Sequence, residues 1–192
     1  MPRQILSAFL FCACIAAQNG AGTFRNEKVG VAEVSIPPGQ VEPPASHPSV
    51  IVYTQGSRRG DVVFRPARGG AVQNTGSSEI RFVRIEFFGQ GTPGAAPWGT
   101  TGLSPHYKLL FENQYARAYD IRIPAGTNEP QHTHKDRVVV CLSGAELRHL
   151  FPDGGAEVST LKTGEVAWRR ASTHIGQNLG KTDLWVIAIE PK

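Results

Sequence analysis

The stretch IRIPAGTNEPQHTHKDRVVV, residues 121–140, decides the fold because it repeats an earlier part of the same chain. It aligns without a gap with VSIPPGQVEPPASHPSVIVY, residues 34–53. A second pair of segments also aligns without a gap: GDVVFRPARGGAVQNTGSSEIRFVRIE, residues 60–86, and GEVAWRRASTHIGQNLGKTDLWVIAIE, residues 164–190. A repeat of this size predicts two related structural modules. The residues shared by the two copies include Gly39/Gly126, Glu42/Glu129, Pro43/Pro130, His47/His134, Asn74/Asn178 and Gly76/Gly180.

Both copies consist of short runs of alternating apolar and polar residues, bounded by Gly and Pro. The runs are rich in Val, Ile, Phe and Trp, and no window keeps a helical period for three turns. This pattern predicts an all-β fold, either a barrel or a sandwich. In residues 79–88 the alternation slips by one position near Val83. The predicted strands cover residues 29–36, 50–53, 61–64, 79–88, 119–123, 137–142, 145–151, 157–161, 165–168 and 184–190.

The composition excludes several classes of protein. With 21 Gly and 14 Pro in 192 residues, a helical bundle or coiled coil is not expected, and 40% hydrophobic residues argue against disorder. The chain carries 20 Lys and Arg against 16 Asp and Glu, a net charge of +4. These basic residues are scattered over strands and turns and form no run of five, so nucleic-acid binding is not predicted.

Residues 1–17 have the pattern of a secretory signal peptide. Arg3 precedes an apolar run, residues 5–17, which is broken only by Ser7 and ends in two alanines. The run is shorter than the ~20 residues that span a bilayer. We therefore expect an exported protein, secreted or periplasmic, with no stable membrane span after cleavage. Cys14 leaves a lipoprotein variant of this leader open.

The repeat and the leader together predict the domain organisation. After the signal peptide, residues 24–88 form a first β module and residues 105–192 form the second. Between them, residues 89–104 (GQGTPGAAPWGTTGLS) are rich in Gly, Pro and Thr, show no periodicity and are predicted to be a linker.

Three histidines of the second module have the spacing of metal ligands. His132 and His134 are two residues apart, which puts both imidazoles on one face of a strand. His174 follows the predicted strand 165–168 and could supply a third ligand from another element. Imidazole is a usual ligand of Zn, Fe, Ni and Cu, so this pattern predicts a metal site.

The segments that carry these histidines resemble the two motifs of the cupin family. Residues 126–144 match the first motif, Gly-x5-His-x-His followed by a closing Gly. Residues 164–178 match the second, although Arg170 and Ser172 replace its usual Pro-x-Gly core. The resemblance is strong over residues 121–190 and extends weakly, through the repeat, to residues 34–86. It implies a jelly-roll barrel, the double-stranded β-helix, with a metal or substrate in the barrel mouth, and a bicupin whose first half is degenerate.

The chain departs from the family pattern at the acidic ligand. The family's first motif normally has a Glu after its second His, and none stands there in this chain. Asp136 and Glu129 are the two candidates for a fourth ligand. Three-His cupin sites, such as those of gentisate-type dioxygenases, show that metal binding does not require this Glu. In the first module the counterparts of the three histidines are Ala45, His47 and Gly70, so that half is predicted to bind no metal.

The resemblance implies a divalent metal, Fe, Mn, Zn or Ni, held by His132, His134 and His174. The chemistry expected for an enzyme of this kind is that of an oxygenase or an isomerase acting on a small organic acid. Arg137 is a candidate clamp for the acid, because guanidinium pairs bidentately with carboxylate. Trp168 is assigned either to the pocket wall or to packing. The sequence leaves two alternatives open: a non-catalytic cupin that binds or senses a small ligand, with or without metal, and a purely structural exported protein. It also leaves a homodimer open.

Overall fold

The computed structural model describes residues 24–91 and 104–192. The predicted leader and residues 92–103 of the predicted linker lie outside these ranges. Among the described residues, no helix is long and apolar enough to cross a membrane. The strands are β1 Phe24–Arg25, β2 Val29–Ile36, β3 Val41–Glu42, β4 Ser49–Tyr53, β5 Val62–Arg65, β6 Val72–Gln73, β7 Ile80–Phe87, β8 Tyr107–Glu112, β9 Ala116–Ile123, β10 His132–His134, β11 Arg137–Ser143, β12 Ala145–Leu150, β13 Ala156–Leu161, β14 Val166–Arg169, β15 Ser172–Asn178 and β16 Leu184–Pro191.

Every predicted strand is present, and the only helical element of the described ranges is the single 3-10 turn Gly56–Arg58. The all-β prediction is confirmed. In the second half of the chain, two antiparallel sheets with the orders β14-β11-β16-β9-β8 and β10-β15-β12-β13 face each other. Their inner faces form one apolar core, so this half is a jelly-roll barrel. The buried core residues are Tyr119, Ile121, Ile123, Val139, Cys141, Ala145, Leu147, Leu161, Leu184, Val186 and Ala188.

The first half of the chain forms a five-stranded antiparallel sheet with the order β1-β2-β7-β4-β5. This order matches that of the five-stranded barrel sheet when repeat-related strands are compared, because β2, β7, β4 and β5 correspond to β9, β16, β11 and β14. One face of the N-terminal sheet packs on the outside of the barrel. The packed residues are Val29, Val31, Val50, Val52, Val83, Ile85 and Phe87 from the first half and Ala116, Ala118, Val138, Val140, Leu142, Ile187 and Ile189 from the second.

Strand β7 explains the irregular alternation seen in its sequence. Its register with β2 runs without a break from Phe87 to Ile80, so no bulge causes the slip near Val83. Val83 faces the barrel, whereas Phe82 belongs to a separate apolar cluster on the opposite face of the sheet. The expected slip is therefore wrong: the strand is regular, and its apolar residues change face because both faces of the sheet are covered.

Repeat-related residues make the same turn in both halves. The amide nitrogen of Asn74 donates to the carbonyl oxygens of Ile36 and Ser78, at 2.7 and 2.8 Å. Asn178 donates in the same way to the carbonyls of Ile123 and Thr182, at 3.0 and 2.9 Å. These bonds tie a loop to a strand end, which is the turn role that the repeat of this Asn predicts.

Gly39 and Gly126 occupy equivalent positions in the two halves, and both have positive φ angles, 76° and 70°. In each case, the residue after the glycine donates its N–H to the carbonyl of Pro37 or Pro124, which closes a four-residue turn. A positive φ at the third position of such a turn favours glycine. In the second half, this turn leads the chain from β9 toward β10.

The N-terminal half has only a two-stranded ribbon, β3-β6, where the barrel has its four-stranded sheet. The hairpin β12-β13 has no counterpart, because the Gly56–Arg58 turn stands in its place. Within the described residues, this half therefore does not close a barrel. An internal ion pair ties the ribbon to the sheet: Arg84 Nη1 on β7 lies 2.6 Å from Glu42 Oε1 on β3, and both side chains are more than four-fifths buried.

We predict that Arg84→Ala destabilises the protein by about 3 kcal/mol, because it leaves the partly buried Glu42 carboxylate without its cation. Arg81 on the same strand is a matched control. Its ion pair with Glu79 is exposed, with side-chain exposures of 51% and 38%, so Arg81→Ala is expected to cost less than about 1 kcal/mol. Urea unfolding of both variants measures the difference, and equal costs would contradict the internal role of Arg84.

Candidate metal centre

Strand pairing brings the three predicted histidines together. Strand β10 pairs with β15 in antiparallel register, so that His132 lies directly opposite His174. His134 shares the face of His132 because side chains two residues apart point to the same side of a strand. One nitrogen of each ring lies within 4.8 Å of the others. All three residues are buried, with exposures between 2% and 4%.

Neighbouring groups fix the orientation of each imidazole. His132 Nδ1 lies 2.8 Å from the carbonyl oxygen of Pro130, which can only accept, so Nδ1 carries a proton and Nε2 is the nitrogen that faces the other rings. That Nε2 is 3.0 Å from His134 Nε2. The hydroxyl of Tyr107 lies 3.2 Å from His134 Nε2, and Ser172 Oγ lies 3.3 Å from His174 Nδ1.

Burial keeps the imidazoles of His134 and His174 neutral. It lowers the pKa of His134 far below the usual value, and the nearby Arg137 guanidinium lowers the pKa further. Burial also lowers the pKa of His174, to about 3, with His149 and His132 adding to the effect. Both rings are therefore uncharged at neutral pH, the form in which imidazole binds a metal. Three buried and convergent imidazoles fit a first-row transition metal.

The histidines line a cavity of about 240 Å³ inside the barrel. Its floor is apolar and includes Ile121, Ile123, Leu147, Leu184 and Val186. A larger cavity of about 730 Å³ lies where the N-terminal sheet meets the outside of the barrel, but none of the three histidines lines it. The smaller cavity holds the converging chemical groups and is the candidate site.

Arg137 brings a positive charge into this cavity. It is 9% exposed, and its Nη1 donates to the carbonyl oxygens of Lys135 and Arg170, at 3.2 and 3.1 Å. Burial lowers the pKa of Arg137, and Tyr107, Glu190 and Asp136 partly offset this. The hydrogen bonds of its guanidinium go to carbonyl oxygens, and in the described part of the chain it forms no direct ion pair with a carboxylate. A buried guanidinium that is not paired directly with a carboxylate is suited to bind an anionic ligand.

Comparison with known proteins identifies the fold. No protein-family model matches the sequence, and no curated protein matches it. Solved structures do: AerE from Microcystis aeruginosa is 13% identical, with 88% of this chain and 90% of that chain covered and a TM-score of 0.62. The cupin 2 conserved barrel domain protein from Leptotrichia buccalis is also 13% identical, with 88% and 86% covered and a TM-score of 0.51. The salicylate 1,2-dioxygenase from Pseudaminobacter salicylatoxidans is 11% identical, with 84% and 70% covered and a TM-score of 0.57.

The chain has the cupin fold. The resemblance that its two motifs suggested is thereby confirmed at the level of the fold. These identities are too low to carry an activity from one protein to another, so the function has to be argued from the residues of this cupin barrel.

The two candidates for a fourth ligand lie in different places. Glu129 lines the cavity, is 4% exposed, and has its Oε2 3.9 Å from His132 Nε2. Asp136 does not line it. Its carboxylate accepts from the amide of Ala171 at 2.8 Å and from Lys28 Nζ at 3.2 Å, and the first of these bonds is the main reason for its lowered pKa. The structure therefore places only Glu129 beside the histidines.

Trp168 lies outside the cupin cavity. It pairs with Val138 across β11 and β14 and packs in the apolar layer between the barrel and the N-terminal sheet. Of the two roles that the sequence suggested, packing is the one observed, and a contact with a ligand in the cavity is wrong. The physical reason is that both faces of the five-stranded barrel sheet are covered. An apolar residue on one of its strands can therefore face either the cavity or the N-terminal sheet, and the sequence pattern does not tell which.

Two cavity residues were missed by the sequence analysis. His149 on β12 lines the cavity, with its ring centroid 4.5 Å from that of His174. The alternation of β12 held the signal, since Ala145 and Leu147 point inward at the same period. Tyr107 lies on β8, a strand with a bulge between Leu109 and Phe111. The sequence of this strand has no regular alternation, so neither the strand nor the position of Tyr107 was predicted.

Proposed function

We propose that this protein is a metal-dependent cupin enzyme of the oxygenase type that acts on a small carboxylic acid. The observation that carries the proposal is the arrangement of one cavity: three buried imidazoles converge next to a buried guanidinium that is not paired directly with a carboxylate. The first group is complementary to a metal cation, and the second is complementary to an organic anion.

His132, His134 and His174 would hold the metal. The donor set suits Fe, Mn, Zn or Ni and does not discriminate between them. When bound, such a metal supplies a Lewis acid with open positions for substrate or O₂.

The remaining cavity residues have roles that do not depend on the identity of the metal. Arg137 binds the carboxylate and fixes the orientation of the acid through its planar donors. The apolar floor receives the body of the acid and excludes water, which strengthens the ionic contact with Arg137. Burial raises the pKa of Tyr107, so its side chain stays a protonated hydroxyl, 3.2 Å from His134 Nε2. The volume of about 240 Å³ limits the substrate to a small molecule.

The oxygenase type is favoured over the isomerase type by one of the matched structures, which is named a salicylate 1,2-dioxygenase. We also propose that the protein is exported, on the basis of the leader pattern in residues 1–17. The N-terminal sheet is proposed to be structural, because only His47 remains of the three ligand positions in that half.

Metal analysis of the purified protein tests the site. We predict that wild type binds about one equivalent of Fe²⁺ or another first-row metal and that His134→Ala and His174→Ala each retain less than roughly a tenth of it. His47→Ala is the matched control in the N-terminal half, and its metal content should equal that of wild type. If wild-type protein neither carries nor rebinds metal, the proposal of a metal-dependent enzyme is wrong, and a metal-free ligand-binding protein is the remaining interpretation.

The role of Arg137 is tested with a small acid and its uncharged analogue. Loss of a charge-assisted pair predicts that Arg137→Met binds salicylate at least ~10-fold more weakly than wild type, while salicylamide distinguishes the two proteins little. Arg148→Met, a change on the exposed side of β12, is the control and should bind salicylate like wild type. Calorimetry gives the constants, and an unchanged salicylate affinity in Arg137→Met would refute the anion site.

A further inference from the structure

We propose that Glu129 is a fourth ligand of the metal, reaching it from a position upstream of the His-x-His pair. The proposal rests on the metal site of the proposed function and adds a residue to it. Glu129 follows the turn at Gly126 and lies opposite Gly176, and its backbone N–H donates to the Gly176 carbonyl at 2.8 Å. This pairing carries its side chain into the barrel cavity.

The Glu129 carboxylate is buried without the partners that a buried carboxylate needs. Its Oε1 has no hydrogen-bond partner. Its Oε2 lies 3.9 Å from His132 Nε2, the ring nitrogen that is turned away from the Pro130 carbonyl and into the cavity. Leaving a carboxylate oxygen buried and unpaired costs several kcal/mol, on the order of the penalty for breaking a buried ion pair. A carboxylate oxygen and a ring nitrogen that face each other in this way can both bind one metal cation.

The internal repeat shows what a carboxylate at this position requires. Glu42 is the repeat counterpart of Glu129, and it lies opposite Val72 as Glu129 lies opposite Gly176. In the N-terminal half, Arg84 Nη1 supplies the cation, 2.6 Å from Glu42 Oε1. The repeat counterpart of Arg84 is Ala188.

Two differences between the halves therefore remove the internal cation and make room for another. Ala188 has no charge to offer, and the ion-pair partner seen for Glu129 among the described residues is His132 rather than an arginine. At position 176, a Cβ atom would lie only 2.5 Å from Glu129 Oε2, so glycine gives the carboxylate its place beside His132. Where the first half fills its site with a guanidinium, the second half leaves the equivalent carboxylate to a metal ion.

The three histidines form the converging set of ligand atoms, and Glu129 lies beside one of them, His132, at a distance that a side-chain movement can shorten. Ligand atoms lie ~2.0–2.2 Å from a zinc-like metal, which puts two ligands of one metal roughly 3.0–3.5 Å apart. The separation of 3.9 Å between Glu129 Oε2 and His132 Nε2 exceeds this by about half an ångström. The three rotatable bonds of the glutamate side chain can close that gap without moving the backbone.

Co²⁺ titration of Glu129→Gln tests the proposal, with Asp136→Asn as the matched control. Both changes replace a carboxylate by an amide of the same shape, but only Glu129 lies beside the histidines. We expect Glu129→Gln to bind Co²⁺ at least ~10-fold more weakly and to change its visible absorption bands, which report the number and type of ligands. Asp136→Asn should match wild type in both. An unchanged spectrum in Glu129→Gln would overturn direct ligation, even with weaker binding.

Thermal unfolding provides a second measurement that does not depend on the spectrum. In metal-free protein, Glu129→Gln is expected to unfold at a higher temperature than wild type, because it removes an unpaired buried charge. With saturating Co²⁺ the order should reverse, because wild type binds the metal more tightly. A wild type that binds no Co²⁺ would refute the metal site itself. A wild type that binds Co²⁺ and loses it in His134→Ala, but not in Glu129→Gln, would refute only the role of Glu129.

Discussion

The antiparallel pairing of β10 with β15 is the constraint on which the rest of the site depends. It sets His132 opposite His174, and the pleat adds His134 on the same face, so three imidazoles share one buried space. Burial and the nearby charge of Arg137 both disfavour the protonated rings. The result is a set of three ring nitrogens gathered inside the barrel, and a transition metal is a partner that such a set fits.

The same topology supports two different solutions to burying charge. The N-terminal sheet and the five-stranded barrel sheet have the same strand order, and the Asn74 and Asn178 turns have the same hydrogen bonds. The N-terminal half pairs its glutamate internally with Arg84. The barrel half has no such ion pair between Glu129 and an arginine, and a buried carboxylate and a buried guanidinium that are not paired with opposite charges are typical of functional sites. The two copies of the repeat thus differ in how they accommodate the equivalent buried glutamate.

Much of this arrangement could be predicted from the sequence because it depends on local patterns. Period-two alternation gave the strands, the gapless repeat predicted which elements correspond, and the His-x-His spacing put two ligands on one face. The errors share a physical cause, which is that sequence alternation does not say what covers each face. For that reason Trp168 was a candidate for the pocket although it packs outside the barrel, and the regular strand β7 seemed to slip at Val83.

The sequence also could not show which of Asp136 and Glu129 lies beside the histidines. Both lie within a few residues of the histidines, and only the pairing with Gly176 brings one of them into the cavity. Tyr107 and His149 reach the site through strand pairings that are distant in the chain. The register of strands that are distant in the sequence therefore determines which of the candidate residues line the cavity.

The most direct test of a metal centre in the barrel is an anomalous-scattering map from crystals of the protein grown with Zn²⁺ and measured at the zinc edge. We predict one strong peak inside the barrel, ~2.0–2.2 Å from a nitrogen of each of His132, His134 and His174. Crystals in which zinc binds elsewhere, while His132 and His134 remain hydrogen-bonded to each other, would contradict a metal centre in the barrel.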